Sequence, residues 1–273
     1  MNPTELLRVA VLVSGGGTNL QAMLDRGRAG KLKAEIVAVV SDNPEAFGLT
    51  RARQAGVPCH TVRYGVVETG GPTTDPLPGD LDWAAFLRRR RTPTSGDSVK
   101  VPEQIVRLRR MVRAEREIIR KLAPYRPDYV CLAGYMRLLS PYFLDHFNRD
   151  GGYRVVNIHP ALLPAFPGQH GYRDTFDHGC KWGGVTVHYV DEGEDSGPVI
   201  AQAVYPIWPE DDPDAVRRRG LALEYEVYSQ VLNWLAAGQV AINRPAGARP
   251  RVVITDPAYR RIVTRWLDLA MTG

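Results

Sequence analysis

The chain has 273 residues, a formal charge of +5 from 35 Lys and Arg against 30 Asp and Glu, and 44% hydrophobic residues. That length allows one large domain or two small ones with a real core, and the composition excludes wholesale disorder. No apolar run reaches the ~18 residues of a membrane span, and the basic excess leaves a nucleic-acid partner to be weighed against its location.

Met1–Arg8 carries Glu5 and leads straight into a strand-like run, so it does not read as a signal peptide. The three cysteines, Cys59, Cys131 and Cys180, are far apart in sequence. Such spacing disfavours a disulfide framework or a Cys-based zinc site and suits the reducing cytoplasm.

Arg8–Val13 is an apolar, β-branched run that ends in Ser14-Gly15-Gly16-Gly17, which predicts a buried strand and a tight turn. Asn19–Arg28 reads as a helix through Leu20, Met23 and Leu24. Glu35–Ser41 predicts a second strand, Pro44–Gly56 a helix and Val57–Val62 a third strand. Tyr64–Pro102 breaks this rhythm with several prolines and Arg88-Arg89-Arg90-Arg91, and reads as an inserted loop. Helical periodicity returns over Glu103–Pro124. Further strands are predicted at Asp128–Ala133, Tyr153–Ile158, Gly184–Val190 and Val199–Val204, and a long helix at Asp212–Ala237. After Gly238 the chain turns polar, then offers a short strand, Arg251–Ile254, and a helix, Pro257–Met271. Strands alternating with helices predict an α/β, Rossmann-like doubly wound, mostly parallel sheet with helices on both faces. The catalytic domain is expected over 1–244, with the insertion at about 64–102, and 245–273 is expected as a C-terminal extension.

The positive charge is local. Phe86–Lys121 holds 12 basic and 4 acidic residues, a net +8 that leaves −3 for the rest of the chain. Phe86 is its one aromatic residue and no nucleic-acid reader motif appears, so nucleic acid is not expected as a partner.

Three segments could carry chemistry. Ser14–Asn19 is a glycine-rich turn between strand and helix, where backbone N–H groups and the helix dipole can hold a phosphate. The alternative is a plain tight turn. No Lys follows it, and Leu20 stands where a dinucleotide fingerprint has its third glycine, which argues against a dinucleotide-binding module. Asn157 and His159 alternate along a strand end and so share a side. They form either an oxyanion and proton-transfer pair or a polar strand end. Asp191–Pro198 is an acidic loop after the strand of His188; it could bind a metal, turn the chain, or bring a carboxylate to His159.

Together, SGGGTNLQ, SDNPEAFGLTRARQAGVP, LAGYMRLLSP, NIHPALLPAFPG and DEGEDSGPVI, in this order, resemble the folate-dependent formyltransferases over Arg8–Val62 and Pro127–Gly238. The resemblance implies transfer of the formyl group of 10-formyltetrahydrofolate to the amine of glycinamide ribonucleotide in purine biosynthesis. It also leaves open another amine acceptor (an amino sugar or methionyl-tRNA) or hydrolysis of formyl-folate. It implies that Asn157, His159 and Asp195 are catalytic. Gly16, Gly17, Thr18, Asn19, Gly134, Pro160 and Glu224 are expected to bind the acceptor. Met136, Arg137, Leu138, Leu139, Asn157, His188, Val190, Asp191 and Glu192 are expected at the formyl-folate, and no metal is expected. An arginine that contacts the folate falls in the region of the insertion. Arg107, Arg109, Arg110 and Arg113 are candidates and Arg110 is chosen. An Asp195 carboxylate beside His159 is expected to raise the imidazole pKa and favour its charged form. The expected partners are these small molecules, with no membrane, and a homodimer is the assembly considered.

Overall fold

The computed structural model describes residues 6–65, 81–89, 101–149 and 151–272. Much of the expected insertion, including Gly70, Gly71, Pro72, Arg90 and Arg91, lies outside the described residues.

A seven-stranded sheet has the order β3-β2-β1-β4-β5-β6-β7. Its strands are β1 (Leu7–Val13), β2 (Ala34–Ser41), β3 (Cys59–Thr61), β4 (Tyr129–Leu132), β5 (Val155–His159), β6 (Trp182–Tyr189) and β7 (Val199–Pro206). β3, β2, β1, β4 and β5 pair in parallel, while β6 and β7 add antiparallel to that edge. The doubly wound, mostly parallel expectation therefore holds. β1 shows why: Val9, Val11 and Val13 belong to one buried cluster, Ala10 and Leu12 to the other. A strand buried on both faces needs an unbroken apolar run, because its side chains alternate between the faces.

The first face carries α1 (Thr18–Arg28), α7 (Pro213–Ala236) and α8 (Tyr259–Thr272); the second carries α4 (Val101–Leu122) and α5 (Pro141–Phe147). α7 starts at Asp212, whose carboxylate accepts from Ala215 N–H at 2.6 Å, with Pro213 in the first turn. That is a strong start signal, since the cap satisfies a free helix donor and proline needs none there.

Four elements differ from the sequence expectation by their existence. α3 (Trp83–Arg89) forms inside the expected loop, capped by Asp82, which accepts from Ala85 N–H at 2.8 Å. α5 and α6 (Gly171–Asp177) are seven residues each, too short for a helical period to show. β8 (Val240–Asn243) lies in the stretch read as polar and pairs with β9 (Arg251–Ile254) as a hairpin. The helix expected from Pro44 begins at Phe47, because Asn43 first closes a turn onto Glu45 N–H.

The residues after Gly238 pack on the core. Trp234 is fully buried, packs edge-to-face against Trp266 and tilted against Tyr259, and donates its indole N–H to Asp256 at 2.7 Å. Trp266→Ala should therefore destabilise the whole domain by about 3–5 kcal/mol, the usual loss for a deleted core aromatic. Chemical denaturation would show a lower midpoint for the entire transition, whereas a dispensable tail would leave it unmoved.

Candidate active site

The chain runs from β1 outward to β3 and then returns to β4 and β5 on the other side of β1. The crevice at such a switch point, beyond the carboxyl ends of the strands, is where sheets of this kind bind ligands. Here the loops after β1 and β4 flank a cavity of about 460 Å³. They are tied together: Ser14 N–H donates to the Gly134 carbonyl at 3.0 Å, and Met136 N–H donates to Ser14 Oγ at 2.9 Å.

The glycine turn is built by close approach. Gly17 has φ 66°, and a Cβ there would lie 2.7 Å from Gly48 Cα. Gly48 N–H donates to the Gly15 carbonyl and Arg51 Nε to the Gly16 carbonyl at 2.8 Å, so the turn's carbonyls face the α2 side (Phe47–Gln54). That leaves its N–H groups at the start of α1 for an anion. Beyond the turn the lining is largely apolar, with Met136, Leu138 and Leu139 from the loop after β4, Ile158 from β5 and Val190 from the loop after β6.

Asn157 and His159, two residues apart on β5, both line the floor, as strand alternation requires. Asp195 reaches them from the acidic loop with φ 49°, a left-handed conformation that Asp tolerates better than most residues. Its Oδ2 lies 3.2 Å from His159 Nδ1 and accepts from Gly168 N–H at 2.8 Å. Its Oδ1 accepts from Asn157 Nδ2 at 3.4 Å and lies 3.5 Å from His188 Nε2. His188 Nδ1 is 2.9 Å from the Tyr189 carbonyl, which can only accept, so Nδ1 carries the proton and Nε2 can accept from Asn157 Nδ2 at 3.2 Å. His159 has an acceptor at each ring nitrogen, the Phe166 carbonyl 2.7 Å from Nε2 and the Asp195 carboxylate 3.2 Å from Nδ1, so the neutral ring donates to only one of them. Phe166 holds that carbonyl in place at φ 53°, a left-handed conformation costing a bulky residue about 1–3 kcal/mol.

The electrostatics correct one expectation. Burial lowers the His159 pKa below its usual value, outweighing the upward pull of Asp195 and of the Phe166 carbonyl. His159 is 2% exposed, and desolvation penalises its charged form. Burial would raise the Asp195 carboxyl, but the His188 contact and the His159 charge outweigh it and hold Asp195 below the ordinary carboxylate range.

Glu224 closes the cavity beside the glycine turn. It is fully enclosed and accepts from Asn19 Nδ2 at 2.5 Å and from the Tyr172 hydroxyl. Burial raises its pKa, against the pull of those two donors. Asn19 Oδ1 is buried with no partner among the described residues, an acceptor left for a ligand's donor.

All the expected site residues line this one cavity, Gly16, Gly17, Thr18, Gly134, Arg137, Pro160, Asp191 and Glu192 included, with the exception of Arg110. Arg110 is exposed on α4, two residues from each of the buried Leu108 and Val112, and so on the opposite side of the helix. Arg137 ion-pairs with Asp42 at 2.7 Å and lies over the Tyr64 ring, so its guanidinium is committed away from a ligand. Residues not foreseen from sequence also line the cavity, chiefly Gly168, Tyr172 and Arg217. Arg217 falls seven residues before Glu224 on α7, a spacing that puts the two on one helix face and could have found it. Arg217 has no ion pair among the described residues, unlike Arg137.

Among the described residues, no group of three or more His, Cys, Asp or Glu side chains is arranged to hold a metal ion, and no helix is long and apolar enough to cross a membrane.

A family model described as formyl transferase matches residues 7–232. The phosphoribosylglycinamide formyltransferase of Escherichia coli (strain K12) is 35% identical over 240 residues, covering 88% of this chain and 92% of that protein. The protein of the same name from Mycobacterium tuberculosis is 32% identical, covering 92% of this chain and 96% of its own length. The crystal structure of glycinamide ribonucleotide transformylase 1 from Symbiobacterium toebii superposes with a TM-score of 0.69 at 36% identity, over 92% of this chain and 95% of that one.

The balance of burial against Asp195 can be measured. NMR titration should find His159 below the usual imidazole value of about 6.5. Because the Asp195 charge raises that value, Asp195→Asn should lower it further; an upward move would overturn the assignment.

Proposed function

The chain belongs to the formyl transferase family, and we propose that it transfers the formyl group of 10-formyltetrahydrofolate to the amine of glycinamide ribonucleotide, the acceptor in its relatives' names. One observation carries the reading: Asn157, His159 and Asp195 meet on a floor between an anion-binding turn and an apolar slot. A phosphorylated amine and a flat pterin entering from the two sides would bring their reacting atoms together over these three side chains.

The phosphate is assigned to the N–H groups of Gly16–Asn19, with Arg217 as the cation in the same cavity. The acceptor's polar donors are assigned to Glu224 and to the open Asn19 Oδ1. The pterin is assigned to the slot between Met136–Leu139 and Val190–Glu192, with His188 supporting Asn157 from behind. Pro160 stiffens the chain where β5 ends at His159.

As the amine attacks the formyl carbon, negative charge grows on the formyl oxygen. Asn157 Nδ2 can donate to it by exchanging its long 3.4 Å bond to Asp195 Oδ1, and one such donor is worth about 3–4 kcal/mol. The Phe166 carbonyl marks where an acceptor of the His159 Nε2 proton can stand, and the formyl oxygen competes for that proton. His159 starts neutral because it is buried, takes a proton as the amine becomes cationic, and returns it to the departing folate nitrogen. Asp195, held ionised, stabilises the imidazolium formed between those two steps.

The reading is tested by spectrophotometric formyl transfer from 10-formyltetrahydrofolate with glycinamide ribonucleotide, an amino sugar and water as competing acceptors. Turnover should require the ribonucleotide; release of formate without an acceptor would instead support the hydrolase reading. His159→Ala should lower kcat by about 10²–10⁴-fold, the usual share of a general acid–base group. Arg217→Ala should raise KM for the ribonucleotide by about ten-fold, one charge-assisted contact, while leaving kcat near wild type.

A further inference from the structure

Arg89 is the last residue of α3, inside the segment where this chain departs from the folate-dependent formyltransferases. Its guanidinium makes four hydrogen bonds to two carboxylates. Nη1 and Nη2 donate to the two oxygens of Asp145 on α5 at 2.8 and 2.7 Å. Nε and Nη2 donate to Glu192 Oε1 in the acidic loop at 2.8 and 2.5 Å. α5 follows directly from Met136–Leu139, which lines the slot assigned to the pterin, and Glu192 belongs to the acidic loop, which lines the same cavity and is assigned to the slot's other side.

We propose that Arg89 is a positioning residue that staples the two walls of the folate slot together, and that this is what α3 of the inserted segment contributes to the reaction. The proposal rests on the formyl-folate reading of that slot. A planar guanidinium can hold two carboxylates at fixed angles, which a lysine ammonium cannot. Both partners raise the Arg89 pKa, so the bridge is charged at any working pH. α3 itself is anchored: Trp83 packs edge-on to Phe86, Arg109 of α4 lies over the Trp83 ring, and Arg89 lies over Phe86. The remainder of the acidic loop is fixed locally, since Asp191 accepts from Gly193 N–H and Ser196 Oγ, and Asp195 from Gly168 N–H. Glu192 is thus the point where the loop is tied to the other wall. With its carboxylate committed to Arg89, Glu192 can offer the slot its backbone.

The test is steady-state kinetics of Arg89→Ala, Arg89→Lys, Asp145→Asn and the Arg89→Ala/Asp145→Asn double variant, with circular dichroism to establish that each is folded. The staple predicts that KM for formyl-folate rises about three- to ten-fold in each single variant, as for a bidentate, partly exposed ion pair. It predicts that KM for the ribonucleotide and kcat stay within two-fold, that lysine does not rescue, and that the double variant is no worse than either single one. Equal losses for both substrates, additive effects, or rescue by lysine would overturn it. Calorimetric binding of a non-reactive folate analogue reads the same loss without turnover. If wild type binds the analogue but transfers no formyl group, the reaction assignment fails while the staple is still tested.

Discussion

The site depends on one carboxylate held ionised against its burial, which pushes its pKa up. Asp195 is mostly enclosed, yet its oxygens accept from Gly168 N–H and Asn157 Nδ2, and two imidazoles stand beside it, His159 Nδ1 at 3.2 Å becoming a donor when that ring is protonated. A buried charge is tolerable only when its lone pairs are matched by donors, and leaving any of them unmatched costs more than the bond gains. The demand is mutual. Each group around Asp195 is oriented by it, so the amide and the imidazole that face the cavity are held before any ligand arrives. Such preorganisation makes a polar group effective in a transition state.

Everything else places that carboxylate. The parallel sheet sets Asn157 and His159 at the end of β5, and the antiparallel turn from β6 to β7 brings the acidic loop back across them. Tight packing leaves little slack: a Cβ on Gly197 would lie 1.8 Å from the Tyr189 carbonyl, and one on Gly220 would lie 2.2 Å from the Tyr172 ring. Gly197 lets the chain double back directly after Asp195, and Gly220 lets Tyr172 reach Glu224. The end of the cavity that would take a substrate's polar groups is therefore fixed by two helices, α6 and α7, whose closeness rests on one missing methyl.

How far the sequence foretold this follows from the range of the signals. Strand alternation put Asn157 and His159 on one side, and the glycine turn after an apolar run marked the ligand end of β1. These are local patterns with local causes. Arg110 lies outside the cavity; the insertion left the family's arginine without a position in the sequence, and the helix period around Leu108 and Val112 places Arg110 outward. The charge state of His159 failed for another reason: sequence shows that Asp195 is available, but the burial that opposes it exists only in the fold. Tyr172 depends on α6 and α7 meeting in space, and no nearby sequence records that meeting, whereas the helix period from Glu224 already pointed to Arg217. The local basic charge also resolves in part into exposed side chains on α4, such as Arg107, Arg110 and Arg113, while Arg89 beside them has a structural task.

The central claim is that acceptor and formyl donor meet over Asn157, His159 and Asp195. Its most direct test is a crystal structure of the protein with glycinamide ribonucleotide and an unreactive formyl-folate analogue. The account predicts the phosphate at the N–H groups of Gly16–Asn19, the pterin between Met136–Leu139 and Val190–Glu192, and the formyl oxygen within hydrogen-bond reach of Asn157 Nδ2 and a His159 nitrogen. A formyl group bound away from both side chains, or a phosphate bound away from the glycine turn, would contradict it.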